Sequence, residues 1–120
     1  YIKGLTLLGG EPFEPQNQKV LYPFLKRVKE LYPTKDIWCY TGFRIEQLLK
    51  NQKTLALLKN IDVLVDGQFE LALRDENLLF RGSSNQRLID VKKTFEKGEV
   101  VIYEPMNLLS PLLMKYKINA

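Results

Sequence analysis

The chain has 120 residues, of which 45% are apolar and 27% charged, and a net charge of +4. That length supports one domain with a modest core and is too short for two ordinary ones; the composition is that of a globular chain rather than a disordered one. There is no histidine and a single cysteine, Cys39, which excludes histidine acid–base chemistry, Ser-His-Asp triads, an internal disulfide and a cysteine-rich metal site built within this chain.

One thiol fits a reducing, cytoplasmic compartment. No apolar run approaches the ~20 residues that span a bilayer, so no membrane segment is expected. Tyr1-Ile2-Lys3-Gly4-Leu5 is not a signal peptide and runs straight into a strand-like segment, which points to a natural N-terminus further upstream. The basic residues are scattered through helix-like segments. Their densest cluster, Lys26-Arg27 with Lys29, reads as a solvated helix face, and without a basic stripe interleaved with aromatics no nucleic-acid partner is expected.

In chain order, residues 5–8 read as a first strand. Val20, Leu21, Phe24, Val28, Leu31 and Tyr32 then recur at helical spacing with Lys and Glu between them. Pro23 should fall early in that helix or kink it. A second strand is expected at Asp36–Tyr40, a helical pattern over 44–50 and 54–59 with a break near Asn51, and a third strand at 61–65. Residues 68–77 fit neither element and read as a loop with a short turn. A fourth strand is expected at 78–81, a helix over 86–97 stopped by Gly98, and a fifth strand at 99–103. In the tail, 104–120, Leu108-Leu109 and Leu112-Leu113-Met114 fit a short amphipathic helix interrupted by Pro111. Continuous apolar strands alternating with helices argue for βαβ units and an α/β fold with a parallel sheet or part-barrel.

In such folds ligands sit beyond the carboxyl ends of the strands. The segments following the first four expected strands are Gly9-Gly10-Glu11-Pro12, Thr41-Gly42, Asp66-Gly67 and Gly82-Ser83-Ser84-Asn85. Each pairs glycine, which lets backbone approach a ligand, with a small polar or acidic side chain. Taken singly, each has a plainer explanation: a tight turn for Gly9-Gly10-Glu11-Pro12 and Asp66-Gly67, helix capping for Ser83-Ser84-Asn85, strand termination for Thr41. Cys39, inside an apolar strand, reads as a core residue. The conjunction of four loops on one rim points to a nucleotide-like ligand.

Four segments carry a resemblance. The stretch from Gly4 to Phe13, with its Gly9-Gly10-Glu11-Pro12, is similar to the GGEP segment of radical S-adenosylmethionine (SAM) enzymes. Residues Lys35 to Phe43, with Tyr40-Thr41-Gly42, Ile61 to Gly67, and Phe80-Arg81-Gly82-Ser83-Ser84-Asn85-Gln86-Arg87 narrow it. In that order they resemble the activating proteins of anaerobic (class III) ribonucleoside-triphosphate reductases, over roughly residues 1–103. The resemblance implies a parallel-stranded partial (βα) barrel of the radical SAM type in residues 1–103, with its first βα unit missing.

It also implies chemistry. In such enzymes a [4Fe–4S] cluster binds SAM and cleaves it to methionine and a 5′-deoxyadenosyl radical, which takes a hydrogen from a glycine of the reductase large subunit. By this comparison Gly9, Gly10 and Glu11, with Pro12 closing the segment, hold the methionine amino end largely through backbone. Thr41 and Asp66 lie near the methionine or ribose, and Ser84 and Asn85 near the ribose or adenine. The implied partners are the reductase large subunit and a reductant such as flavodoxin.

The family's C-x3-C-x2-C loop lies upstream of the GGEP strand, where this chain has only a few residues. Three thiolates are needed to leave one iron open for SAM, and Cys39 cannot supply them. The expectation is therefore a SAM cradle in a chain that binds no cluster, offers no metal ligands or catalytic residues of its own, and is inactive alone. An exposed sheet edge left by the missing unit invites self-association. Two other readings stand beside it: an activase of another glycyl-radical enzyme, and a non-catalytic α/β module that binds a nucleotide or a protein.

Overall fold

The computed structural model describes residues 4–7 and 10–104; Leu8, at the end of the expected first strand, and the expected tail helix lie outside the described residues. The elements are β1 (Gly4–Leu7), α1 (Pro15–Leu31), β2 (Asp36–Tyr40), α2 (Ile45–Leu49), α3 (Gln52–Leu58), β3 (Val63–Asp66), β4 (Arg87–Asp90) and α4 (Val91–Lys97), with a 3-10 turn at Leu71–Leu73. They form an open four-stranded sheet of order β1-β2-β3-β4. The first three strands are mutually parallel, joined by α1 and by the α2–α3 pair as crossovers, and β4 is antiparallel to β3.

Alternation along each strand sorts side chains between two faces. Leu7, Cys39, Leu64 and Ile89 stand in one register row. With Leu5 and Ile37 they meet Leu25 of α1, Ile45 and Leu48 of α2, Leu57 and Leu58 of α3 and Val91 of α4 in a single apolar core. A fully buried side chain such as Leu25 or Leu64 is worth roughly 2 kcal/mol relative to exposure. The other face carries Trp38, Tyr40, Val63 and Val65. It is covered where Trp38 meets the rings of Phe80 and Tyr103 edge-on, at 5.0 and 5.3 Å. All four residues of β3 are buried; the apolar run predicts this for Val63, Leu64 and Val65, and the fourth is Asp66. Gly4 lets β1 and β2 close up: a Cβ there would lie 2.2 Å from the Asp36 carbonyl oxygen.

Five expectations need correction. The sheet is mixed rather than parallel, because residues 67–86 contain no crossover helix and fold back, so the chain re-enters the sheet in the opposite direction. The expected strand at 78–81 is irregular. The expected helix over 86–97 divides: Arg87–Asp90 pair with β3 as β4, and only Val91–Lys97 are helical. The expected fifth strand at 99–103 reduces to a single bridge between Ile102 and Ile89. Pro23 sits well inside α1 rather than at its start. The helix runs on past the hydrogen bond that proline cannot donate. The break near Asn51 is real, since Asn51 caps α3 by accepting from the Lys53 amide. Gly98 ends α4 in the left-handed conformation.

Candidate functional site

The loops that leave the carboxyl ends of β1, β2 and β3 lie on one rim, and the segment that enters β4 joins them because β4 runs the other way. They are held together by direct hydrogen bonds. The Glu11 carboxylate links the first two loops: Oε2 accepts from the Phe13 amide at 3.0 Å and from the Thr41 hydroxyl at 2.7 Å, and Oε1 accepts from the Gly42 amide at 2.7 Å. The Thr41 hydroxyl also accepts from the Phe43 amide, and the Thr41 amide donates to the Val65 carbonyl. The Asn17 side chain donates to the Glu11 carbonyl from the first turn of α1. Thr41 and Pro12 are buried and Gly10 is exposed; Gly9 lies outside the described residues.

Asp66, at the end of β3, is 0% exposed. Its Oδ2 accepts from the Ile45 amide at 2.8 Å and from Arg87 Nη2 at 2.5 Å, and its Oδ1 accepts from Arg87 Nε at 3.0 Å. The same guanidinium donates to both oxygens of Glu46, at 2.6 and 3.2 Å. These bonds to Arg87 hold the Glu46 carboxyl below the ordinary glutamate value. The bonds to Asp66 first, then to Glu46, hold Arg87 still more firmly charged.

The third and fourth loops are tied just as closely. The Gly67 amide donates to the Phe43 carbonyl. Gly67 adopts φ +96°, a conformation that a side chain would strain. The Gln86 amide group donates to the Gly67 carbonyl, and its oxygen accepts from the Gly82 and Ser83 amides. Asn85 Nδ2 donates to the Gln68 carbonyl, and Arg44 donates to the Asn85 carbonyl. Asn85 Oδ1 is buried without a partner among the described residues. Ser84 is exposed and its amide donates to the Leu73 carbonyl. It is the neighbouring Ser83 whose hydroxyl is buried, accepting from the Glu70 amide.

All the sequence-expected rim residues that the structure describes therefore converge, but much of their polar capacity is used within the rim. Arg44 and Glu46 escaped the sequence reading, their one signal being that they follow Thr41-Gly42. Gln86 and Arg87 entered it only within the segment Phe80 to Arg87 that carries the resemblance, with no role of their own. Among the described residues, two clefts adjoin the rim. One, of about 570 Å³, opens between the start of α1 and the α2–α3 pair and is lined by Phe13, Lys19, Phe43 and Lys53 among others. The other, of about 630 Å³, lies on the helix-free face between Leu79, Phe80, Arg81, Arg87 and Tyr103. Glu11, Thr41, Asp66, Ser84 and Asn85 line neither.

Glycine-bearing loops gathered at the strand ends of a mostly parallel, open four-stranded sheet define an α/β domain. The sequence family of 4Fe–4S single cluster domains matches residues 1–89, and the chain belongs to that family. It is 48% identical over 84 residues to the anaerobic ribonucleoside-triphosphate reductase-activating protein of Pasteurella multocida, covering 70% of this chain and 53% of that protein. The protein of the same name from Haemophilus influenzae is 49% identical over the same shares. That of Enterobacteria phage T4 is 46% identical over 88 residues, 73% of this chain and 53% of that protein. The chain spans about half the length of the curated relatives it matches. No solved structure matches it.

The residues of this chain do not fit an iron–sulfur cluster. Its only cysteine has no exposed surface and faces the helix-side core. Burial, with the Glu11 charge second, pushes the thiol far up from its ordinary value, away from the thiolate a cluster requires. Among the described residues no group of three or more cysteine or carboxylate side chains is placed to hold a metal ion. Among them, too, no helix is long and apolar enough to cross a membrane.

Proposed function

We propose that this chain is the SAM-positioning part of a cytoplasmic activating protein that installs a glycyl radical on an anaerobic ribonucleotide reductase. The carrying observation is the rim itself. The four segments that resemble that family are the ones whose backbone and side chains are joined, from Glu11 to Arg87, in one continuous series of hydrogen bonds. In this reading Gly9, Gly10 and Glu11 present the backbone that receives the methionine end of SAM, with Pro12 closing their turn. Thr41, Ser84 and Asn85 flank the sugar and base. Glu11 holds the first two loops at a set spacing, so its carboxylate acts on the ligand through Thr41 and Gly42. The reductase large subunit is the partner, a reductant such as flavodoxin supplies the electron, and the cluster thiolates come from outside this chain.

Equilibrium dialysis of the full chain against labelled SAM, with and without the reductase large subunit, tests this. Saturable binding that Glu11→Ala weakens is expected. Absence of saturable binding up to millimolar SAM in both arms overturns the reading.

The single buried cysteine favours a second reading for the isolated polypeptide, a binding module without redox chemistry. Neither reading expects a cluster on this chain, so competition of unlabelled nucleotides against labelled SAM separates the two. Saturable binding selective for SAM would remove the module reading, and binding with no preference for SAM would favour it.

A further inference from the structure

We propose that Arg87 is the positioning residue of the rim and that Asp66 is its anchor rather than a ligand group; this rests on the reading of the rim as a SAM site. The geometry is specific. Both oxygens of Asp66 are occupied by protein donors, and none of its surface is exposed. A ligand approaching the rim meets no part of it. What Asp66 does is hold the Ile45 amide, the first of α2, and the Arg87 guanidinium. Arg87 extends that hold to Glu46 on the same helix turn, through two further bonds. The first turn of α2, the end of β3 and the start of β4 thus meet at one guanidinium.

Every loop of the rim except the first departs from that node. Thr41 to Arg44 lead into α2, Gly67 leaves β3, and Gly82 to Gln86 lead into β4. The bonds from Gly67 to Phe43, from Gln86 to Gly67 and from Arg44 to Asn85 all span elements whose spacing the node sets. Only a planar fork with several donors can serve two carboxylates in this way; a lysine offers a point charge with no fixed geometry. Small errors in the placement of ligand-contacting groups are amplified in binding and rate.

The test uses the full chain with Arg87→Met, Arg87→Lys and Glu46→Gln, and with Ile89→Val as a control. Ile89→Val trims the core on the helix side of the same strand and leaves the rim alone. Thermal midpoint, amide hydrogen exchange and SAM affinity are read together. Expected for Arg87→Met is SAM binding about tenfold or more weaker, with faster exchange at the Ile45 and Gly67 amides and unchanged exchange at Ile37 and Cys39. Arg87→Lys should recover part of both effects. Ile89→Val should lower the midpoint and leave SAM affinity as in the parent.

If Arg87→Met does not fold, Glu46→Gln carries the same test: Glu46 is half exposed, and the amide removes the charge and one of the two oxygens that accept from Arg87. Unchanged SAM affinity in variants whose midpoints fall as far as that of the control overturns the proposal. So does unchanged exchange at Ile45 and Gly67. If the parent chain binds no SAM, the functional reading fails, and the exchange data still decide whether Arg87 positions the rim.

Discussion

Glu11, Asp66 and Cys39 show how far a residue's chemistry depends on its neighbours. Glu11 and Asp66 are both acidic residues in glycine-bearing loops, and the sequence treats them alike. In the structure Glu11 bridges two loops and Asp66 is sealed under Arg87 and Ile45. Cys39 is the simpler case. An apolar strand context marks it as a core residue, and the structure buries it completely. A thiol without exposure, held protonated by burial, is inert until the chain opens. Cys39 should therefore resist labelling by a thiol-reactive disulfide in the native chain and react fully in denaturant. Rapid stoichiometric labelling of the native chain, followed by absorbance, would contradict the assigned packing. Legible at this scale were the residue types the rim would need. Illegible were the donors that occupy them: Arg44, Gln86 and Arg87 reach their acceptors across 41, 19 and 21 positions of sequence respectively.

At the scale of elements, the stretch from Gln86 to Lys97 is the most instructive. Its helical pattern is genuine from Val91 on, where Asp90 caps the helix by accepting from the Lys93 amide at 2.9 Å. The four residues before it take strand geometry because β3 offers them an edge, and pairing satisfies their backbone more fully than one extra helix turn would. Asp90 thus ends a strand and begins a helix at once. Asp90→Ala should cost about 1 kcal/mol of stability, measured by urea denaturation with the single tryptophan, Trp38, as the probe. An effect within error of zero would mean that the cap is not holding α4. The long apolar strands and the α1 and α2–α3 crossovers were readable because their periodicity reflects burial on known faces. The connection 67–86 was not, since its order comes from side-chain bonds to distant loops rather than from a repeat.

For the molecule as a whole, two carboxylates give opposite pH signatures. The bonds from Arg87 hold Glu46 below the ordinary glutamate value, so Glu46 adds stability above about pH 4.3 and loses it as the pH falls through its folded value. Asp36, at the far end of β2, is raised by burial first and by Asp62 second. The folded state therefore holds the Asp36 proton more tightly, and a cost appears as the pH rises from the ordinary aspartate value through the folded one. Glu46→Gln should lower the thermal midpoint at pH 7 and leave it unchanged near pH 2.5. Asp36→Asn should raise the midpoint at pH 7 and leave it unchanged near pH 2.5. Shifts of equal size at both pH values would remove the electrostatic explanation.

The amino-acid sequence alone was enough for the α/β class, the placing of the first three strands and the helices between them, and the glycine loops, because hydrophobic period and turn chemistry are local properties read within a few residues. Its motifs were also enough to indicate the family. The direction of β4, the bonds that tie the rim loops together and the burial of Asp66 under Arg87 and the Ile45 amide depended on the folded chain. Each is a contact between segments tens of residues apart, and whether a carboxylate meets a ligand or a guanidinium depends on which donor reaches it once the strands are side by side.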